Sequence, residues 1–81
     1  MTQEKILEKI REAFVEVLGD EKIKISPNTS PENLEAWDSF AHIQIILTLE
    51  KSLGIKFMSK EVFEWKNAGD IANSISEKLG K

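Results

Sequence analysis

The stretch SFAHIQIILTLEKSL, residues 39–53, constrains this chain more than any other part of it. Asp38 precedes it and Gly54 follows it, which marks a helix start and a helix stop. At 3.6 residues per turn, Ile45, Ile46, Leu49 and Leu53 fall on one side, with His42 at its edge. Phe40, Ile43 and Leu47 fall on the opposite side, with Gln44 and Lys51 beside them. Ala41, Thr48 and Ser52 fill one flank and Glu50 the other. One apolar stripe seats a helix on a small core. Leaving the second stripe wet forgoes roughly 1.5–3 kcal/mol per side chain, which is large against a net stability of about 5–15 kcal/mol. Either residues 19–37 or 59–65 cover it, or it docks a partner. The patch begins next to Ser39, which favours docking.

The rest of the chain reads around that helix. Residues 3–18 carry Ile6, Leu7, Ile10, Phe14, Val17 and Leu18 at helical spacing, with Thr2 as cap and Gly19 as stop. Residues 19–37 hold Pro27, Pro31 and a run of Ser, Thr and Asn, with Ile23, Ile25, Leu34 and Trp37 as apolar anchors. Structureless loops beyond about 12–15 residues are uncommon in compact domains and usually functional. Ile23-Lys24-Ile25 alternates, with Ile55-Lys56-Phe57 as its one available strand partner. Ser59 is placed to cap a short helix running to about Trp65. Asn67 and Asp70 resemble a capping arrangement for a last helix bearing Ile71, Ile75 and Leu79, weakened a little by Gly69. The sum is one all-α domain over residues 1–81, a small three-to-four-helix bundle with a long first loop.

Composition narrows the function. Apolar residues at 41% and charged residues at 31% describe a globular, soluble chain. Net charge is −3 and the basic residues are scattered, so nucleic acid is not an expected partner. No apolar run approaches the roughly 20 residues of a membrane span, and MTQEKILEKI is too charged for a secretory signal, so a cytoplasmic protein is expected. There is no Cys, and His42 is the one histidine, so neither thiol chemistry nor a metal site is expected.

Ser39 is the residue through which this chain can acquire chemistry. At a helix mouth, unpaired backbone N–H groups and the positive end of the helix dipole converge, which suits a phosphate ester. The serine has no partner that would make it a nucleophile: His42 lies one turn along the same helix, but no acid orients it and nothing forms an oxyanion hole. The chain therefore reads as modified at Ser39 and not as an enzyme.

In WDSFAHIQIILTLEKSLGIKF, residues 37–57, the chain resembles the acyl carrier protein family, whose signature is Asp-Ser-Leu opening an apolar second helix. The upstream SPNTSPENLEAW is similar to that family's long first loop, with Leu34 at its buried leucine, and KEVFEWKNAGDIANSISEKL is similar to its third and fourth helices. The resemblance spans roughly residues 3–79. It implies an acyl-carrier-like bundle with a 4′-phosphopantetheine arm on Ser39 as a phosphodiester, whose thiol holds an acyl group as a thioester. It implies a phosphopantetheinyl transferase that engages Asp38, and acyl-activating and acyl-transferring enzymes as further partners. It places Phe40, Ile43, Gln44 and Leu47 on the partner face, with Glu35, Trp37 and Glu50 alongside, and lets the apolar ones line a cavity for the acyl chain. A monomer is expected.

The departures bear on the pathway. Carriers of fatty acid synthesis have a strongly acidic second helix. Here Asp38 and Glu50 are its acids, with Glu35 just ahead, while Ala41, Gln44, Lys51 and Ser52 occupy other positions. Trp37 replaces the small residue common before the Asp, and Glu35-Ala36 stands where the family has a Gly. A specialised discrete carrier is expected, in a polyketide-like, aminoacyl or surface-polysaccharide pathway, with general fatty acid synthesis less favoured. The alternatives are a peptidyl or aminoacyl carrier of the same fold, whose usual Gly-Gly is missing, and a cofactor-free helical adaptor using Phe40, Ile43 and Leu47. His42 reads as a packing residue at the helix edge.

Overall fold

The computed structural model describes residues 2–79. Residues 1, 80 and 81 of the expected domain lie outside that range. Four helices follow in chain order: α1 (Gln3–Leu18), α2 (Ser39–Leu53), α3 (Ser59–Glu64) and α4 (Ala68–Lys78). Among the described residues there is no strand, and Ile23-Lys24-Ile25 runs as loop.

The helix ends follow local chemistry. The Thr2 hydroxyl accepts from the Lys5 N–H at 3.2 Å, and the Asn67 carboxamide oxygen accepts from the Asp70 N–H at 2.9 Å. Asp70 reaches back to the Lys66 N–H at 2.8 Å, one residue earlier than a standard capping box would place it. Gly19 and Gly54 close α1 and α2 with φ of 71° and 67°, a region that costs other residues a steric clash. For α3 the expectation needs correcting. Met58, not Ser59, is the cap residue, and the Glu61 carboxylate accepts from the Met58 N–H at 2.7 Å. That is the return half of a capping box, the side chain three residues on satisfying the cap residue's own N–H.

The core sits where α1 meets both α2 and α4. Ile6, Ile10 and Phe14 of α1, Ile45 and Leu49 of α2, and Ile71 and Ile75 of α4 are all but fully buried. Each contributes roughly 1.5–3 kcal/mol relative to exposure. Ile23 and Trp37 add the loop's own share of the core.

The segment between α1 and α2 is long but ordered by its backbone bonds. The Arg11 guanidinium donates to the Ile23 carbonyl at 2.9 Å and the Glu21 carbonyl at 2.6 Å. Two small turns follow, closed by Ser26 with Thr29 and by Ser30 with Asn33. The first turn of α4 then holds the loop, since the Ala68 N–H donates to the Thr29 carbonyl at 2.8 Å and the Gly69 N–H to the Pro27 carbonyl at 2.9 Å. A Cβ on Gly69 would lie 3.0 Å from the Pro27 oxygen, which is why a glycine serves in a helix start that propensity alone disfavours. Thus two of α4's orphan donors are spent on positioning the loop that delivers Trp37, Asp38 and Ser39.

Candidate functional site

Ser39 is exposed as the first residue of α2. Asp38 shapes the helix mouth: its carboxylate accepts from the Ala41 N–H at 2.8 Å, and its carbonyl accepts from the His42 N–H at 2.9 Å. Among the described residues the Ser39 and Phe40 N–H groups have no protein acceptor, as is usual in the first turn of a helix. An exposed hydroxyl, two open N–H donors and the helix dipole make a fitting seat for a phosphodiester.

Beside Ser39 lies an apolar cleft of about 390 Å³ between the start of α2 and α3. Ile43, Val62 and Phe63 form its outer part, and Trp37, His42 and Trp65 its aromatic wall. The wall is pinned. The Trp37 indole N–H donates to His42 Nδ1 at 2.9 Å, and the two rings stack with centroids 5.8 Å apart. His42 meets Trp65 edge-on at 5.9 Å, and the Trp65 indole N–H donates to the Ser74 hydroxyl of α4 at 2.9 Å. Accepting a hydrogen bond at Nδ1 puts the neutral imidazole's proton on Nε2. Burial pushes His42 below its ordinary value of 6.5, with the Val62 backbone offsetting part of that. The histidine is a packing residue, as its place at the helix edge suggests.

The second apolar stripe of α2 is not covered. Phe40 is 72% exposed, Ile43 57% and Leu47 60%, and Gln44 is exposed between them. Two further large apolar residues, not anticipated from sequence, are exposed: Phe63 at 86%, which lines the cleft with Ile43, and Met58 at 70%. Val62 and Phe63 are neighbours about 100° apart on a helix of six residues.

Two expected partner residues are placed otherwise. Trp37 is only 2% exposed, its ring edge-on to Phe14 at 4.8 Å, so it belongs to the core and the cleft wall and offers no docking surface. An indole beside an apolar core gains more from burial than from solvent once its N–H has a partner, and His42 provides one. Glu50 is half-buried, and its carboxylate accepts from the Phe57 N–H at 2.8 Å. It holds the α2–α3 connection and is not a free charge on the docking face. Glu35 is exposed on the loop.

On the far side of the wall, Lys78 and Glu61 form an ion pair at 2.7 Å that ties α3 to α4. Burial pushes the Glu61 carboxyl up, but Lys78, the Met58 N–H and the Ser74 hydroxyl together hold it below its ordinary value of 4.5. With Trp65–Ser74, this pair is what keeps the short α3 against the bundle and the cleft in shape.

Comparison with known proteins agrees with this geometry. Residues 8–75 match the family model described as "Phosphopantetheine attachment site". Among solved structures, the chain is similar to the solution NMR structure of holo acyl carrier protein from Geobacter metallireducens. The two are 35% identical with a TM-score of 0.84, over 91% of this chain and 85% of that one.

Proposed function

The chain belongs to the phosphopantetheine-attachment family and is a non-catalytic carrier with a 4′-phosphopantetheine group, and from that premise we propose that Ser39 is its attachment residue and that it delivers acyl groups to partner enzymes of a specialised biosynthetic pathway. The bound arm supplies a thiol that holds the acyl group as a thioester, in a chain with no cysteine of its own. The observation that carries the assignment is the exposed Ser39 hydroxyl at the mouth of α2, next to open N–H donors and an apolar cleft.

The chain's own residues divide the work. The Ser39 oxygen makes the phosphodiester link, and the Ser39 and Phe40 N–H groups face the phosphate. Asp38 fixes the helix mouth and presents the carboxylate that the modifying transferase engages. The cleft between α2 and α3 receives the acyl end. Phe40, Ile43, Gln44 and Leu47 dock the partner enzymes, and Phe63 enlarges that face. Because Glu50 is engaged internally, the docking face is mostly apolar with Asp38 and Glu35 at its edge. Partner affinity should therefore depend only weakly on salt. That separates this carrier from ones read through a strongly acidic helix, and supports a small dedicated partner set. We place it in the cytoplasm as a monomer. None of the described helices is long and apolar enough to cross a membrane.

The test is the intact mass after incubation with coenzyme A and a broad-specificity phosphopantetheinyl transferase. The expected result is the mass of one phosphopantetheine group, lost in Ser39→Ala. An unchanged mass under conditions that modify a control carrier, or full modification of Ser39→Ala, refutes the assignment. Offering acyl and aminoacyl coenzyme A panels, followed by candidate partner enzymes, separates the acyl reading from the aminoacyl one.

A further inference from the structure

We propose that the Trp37–His42–Trp65 wall closes the cleft beside Ser39 from the bundle interior, so that this carrier shelters short acyl groups and leaves longer chains in solvent. The inference rests on the reading of Ser39 as the attachment residue, and it concerns what the loaded chain can accommodate.

The three rings come from three different elements: Trp37 from the loop, His42 from α2 and Trp65 from the end of α3. Each is held at more than one edge. Trp37 is edge-on to Phe14 and bonded to His42; Trp65 is edge-on to Phe57 at 4.9 Å and bonded to Ser74. The core that includes Trp37 continues through Ile45, Leu49, Ile71 and Ile75, all 0% exposed. Packed interiors of this kind have no spare volume for a chain to thread into. A longer acyl group would have to swing an indole aside and strand its N–H without an acceptor, and an unpaired buried donor is costly. The cleft itself is at the small end of ligand pockets and opens to solvent past Ile43 and Phe63. Cargo that outgrows it has an unobstructed way out and an obstructed way in.

The experiment loads wild type, Ser74→Ala and Trp65→Leu with butanoyl, octanoyl and dodecanoyl pantetheine from the matching coenzyme A thioesters. Intact mass establishes loading first. Failure to load sinks the attachment assignment and is seen separately from everything that follows. Two readouts then apply: the NMR signals of the two indole N–H groups and of the Ile45, Leu49, Ile71 and Ile75 methyls, and the rate of thioester cleavage by hydroxylamine. In wild type, the butanoyl group should shift both indole signals. The core methyls should not move for any chain length, and protection should not grow from butanoyl to dodecanoyl. In folded Ser74→Ala or Trp65→Leu, protection of the dodecanoyl thioester should rise about tenfold, the scale of one lost hydrogen bond, with core methyl shifts. Core methyls that shift progressively with chain length in wild type overturn the proposal. So does an indole pair indifferent to butanoyl, or protection that stays flat in both variants. Ser74→Ala removes a single hydroxyl, so it keeps the question answerable if Trp65→Leu fails to fold.

Discussion

Replacing Trp37 with phenylalanine removes one hydrogen bond while keeping most of a buried aromatic ring. The indole N–H to His42 Nδ1 bond, at 2.9 Å, goes, and His42 keeps an acceptor without a donor in a half-buried place. A net hydrogen bond contributes about 1 kcal/mol and an unsatisfied buried partner costs about 1–3 kcal/mol more. The smaller ring also leaves a small void against Phe14 and the stack on His42. A loss of about 2–3 kcal/mol is expected, out of roughly 0.05–0.15 kcal/mol per residue of total stability, so the variant should still fold. At about 4–8 °C per kcal/mol for a domain of this size, Tm should fall by on the order of 10–20 °C. The pH dependence isolates the bond from the void. Burial is the main cause of the lowered His42 pKa; a donor at Nδ1 favours the neutral imidazole as well, so removing it should raise that pKa. Folded wild type binds that proton less readily than the unfolded chain. Its His42-linked stability is therefore full above 6.5 and is lost as pH falls from there through the lower folded value. In Trp37→Phe this loss should shrink. The assays are urea denaturation at several pH values and NMR titration of the single histidine in the apo protein, with His42→Ala and the double variant completing a cycle. Additive effects within about 0.3–0.5 kcal/mol, together with an unchanged His42 titration, would refute the bond as a structural element.

Other expectations follow from the same contacts. Gly69→Ala should destabilise by on the order of 1 kcal/mol, because overpacking against the Pro27 carbonyl outweighs the gain in helix propensity; a rise in Tm would show that the loop yields there. Asp38→Asn should fold as wild type, since asparagine caps equally well, yet be modified more slowly by the transferase, whereas Asp38→Ala should also lose about 0.5–2 kcal/mol in denaturation. Glu61 is held below its ordinary 4.5, so its contribution is full above that value and disappears as pH falls through the lower folded value; Lys78→Ala should flatten this acid limb of the stability curve, and an identical limb in both proteins would count against the ion pair.

What the sequence disclosed was what local chemistry decides. Three long helices, their caps at Thr2, Asp38 and Asn67 and the glycine stops of the first two depend on residues a turn apart, and spacing alone displays them. The exposure of Phe40, Ile43 and Leu47 was one of two open readings, and only tertiary placement decides between them. Residues whose partners are remote were misread. Trp37 was read as an apolar anchor of the loop and also set beside the partner face, because its acceptor, His42, and its neighbour, Phe14, come from two separate helices. Glu50 looked like a free helix charge because the N–H it binds belongs to Phe57, beyond the helix end. Met58 was passed over as a cap because no side-chain oxygen marks it; the carboxylate comes from Glu61. Arg11 counted as one more scattered cation, although its fork organises the far loop through backbone carbonyls that no sequence pattern displays.

The bonds from Ala68 and Gly69 to the Thr29 and Pro27 carbonyls set a lower bound on any excised tag built from this protein. A peptide ending after α2 would retain the serine and its flanking recognition residues, along with the Arg11 and Trp37 contacts, yet it would lose both backbone bonds by which the last helix holds the segment that aims them. A label that keeps the loop held as it is here therefore runs at least to Gly69, about thirty positions downstream of the atom that is to be labelled.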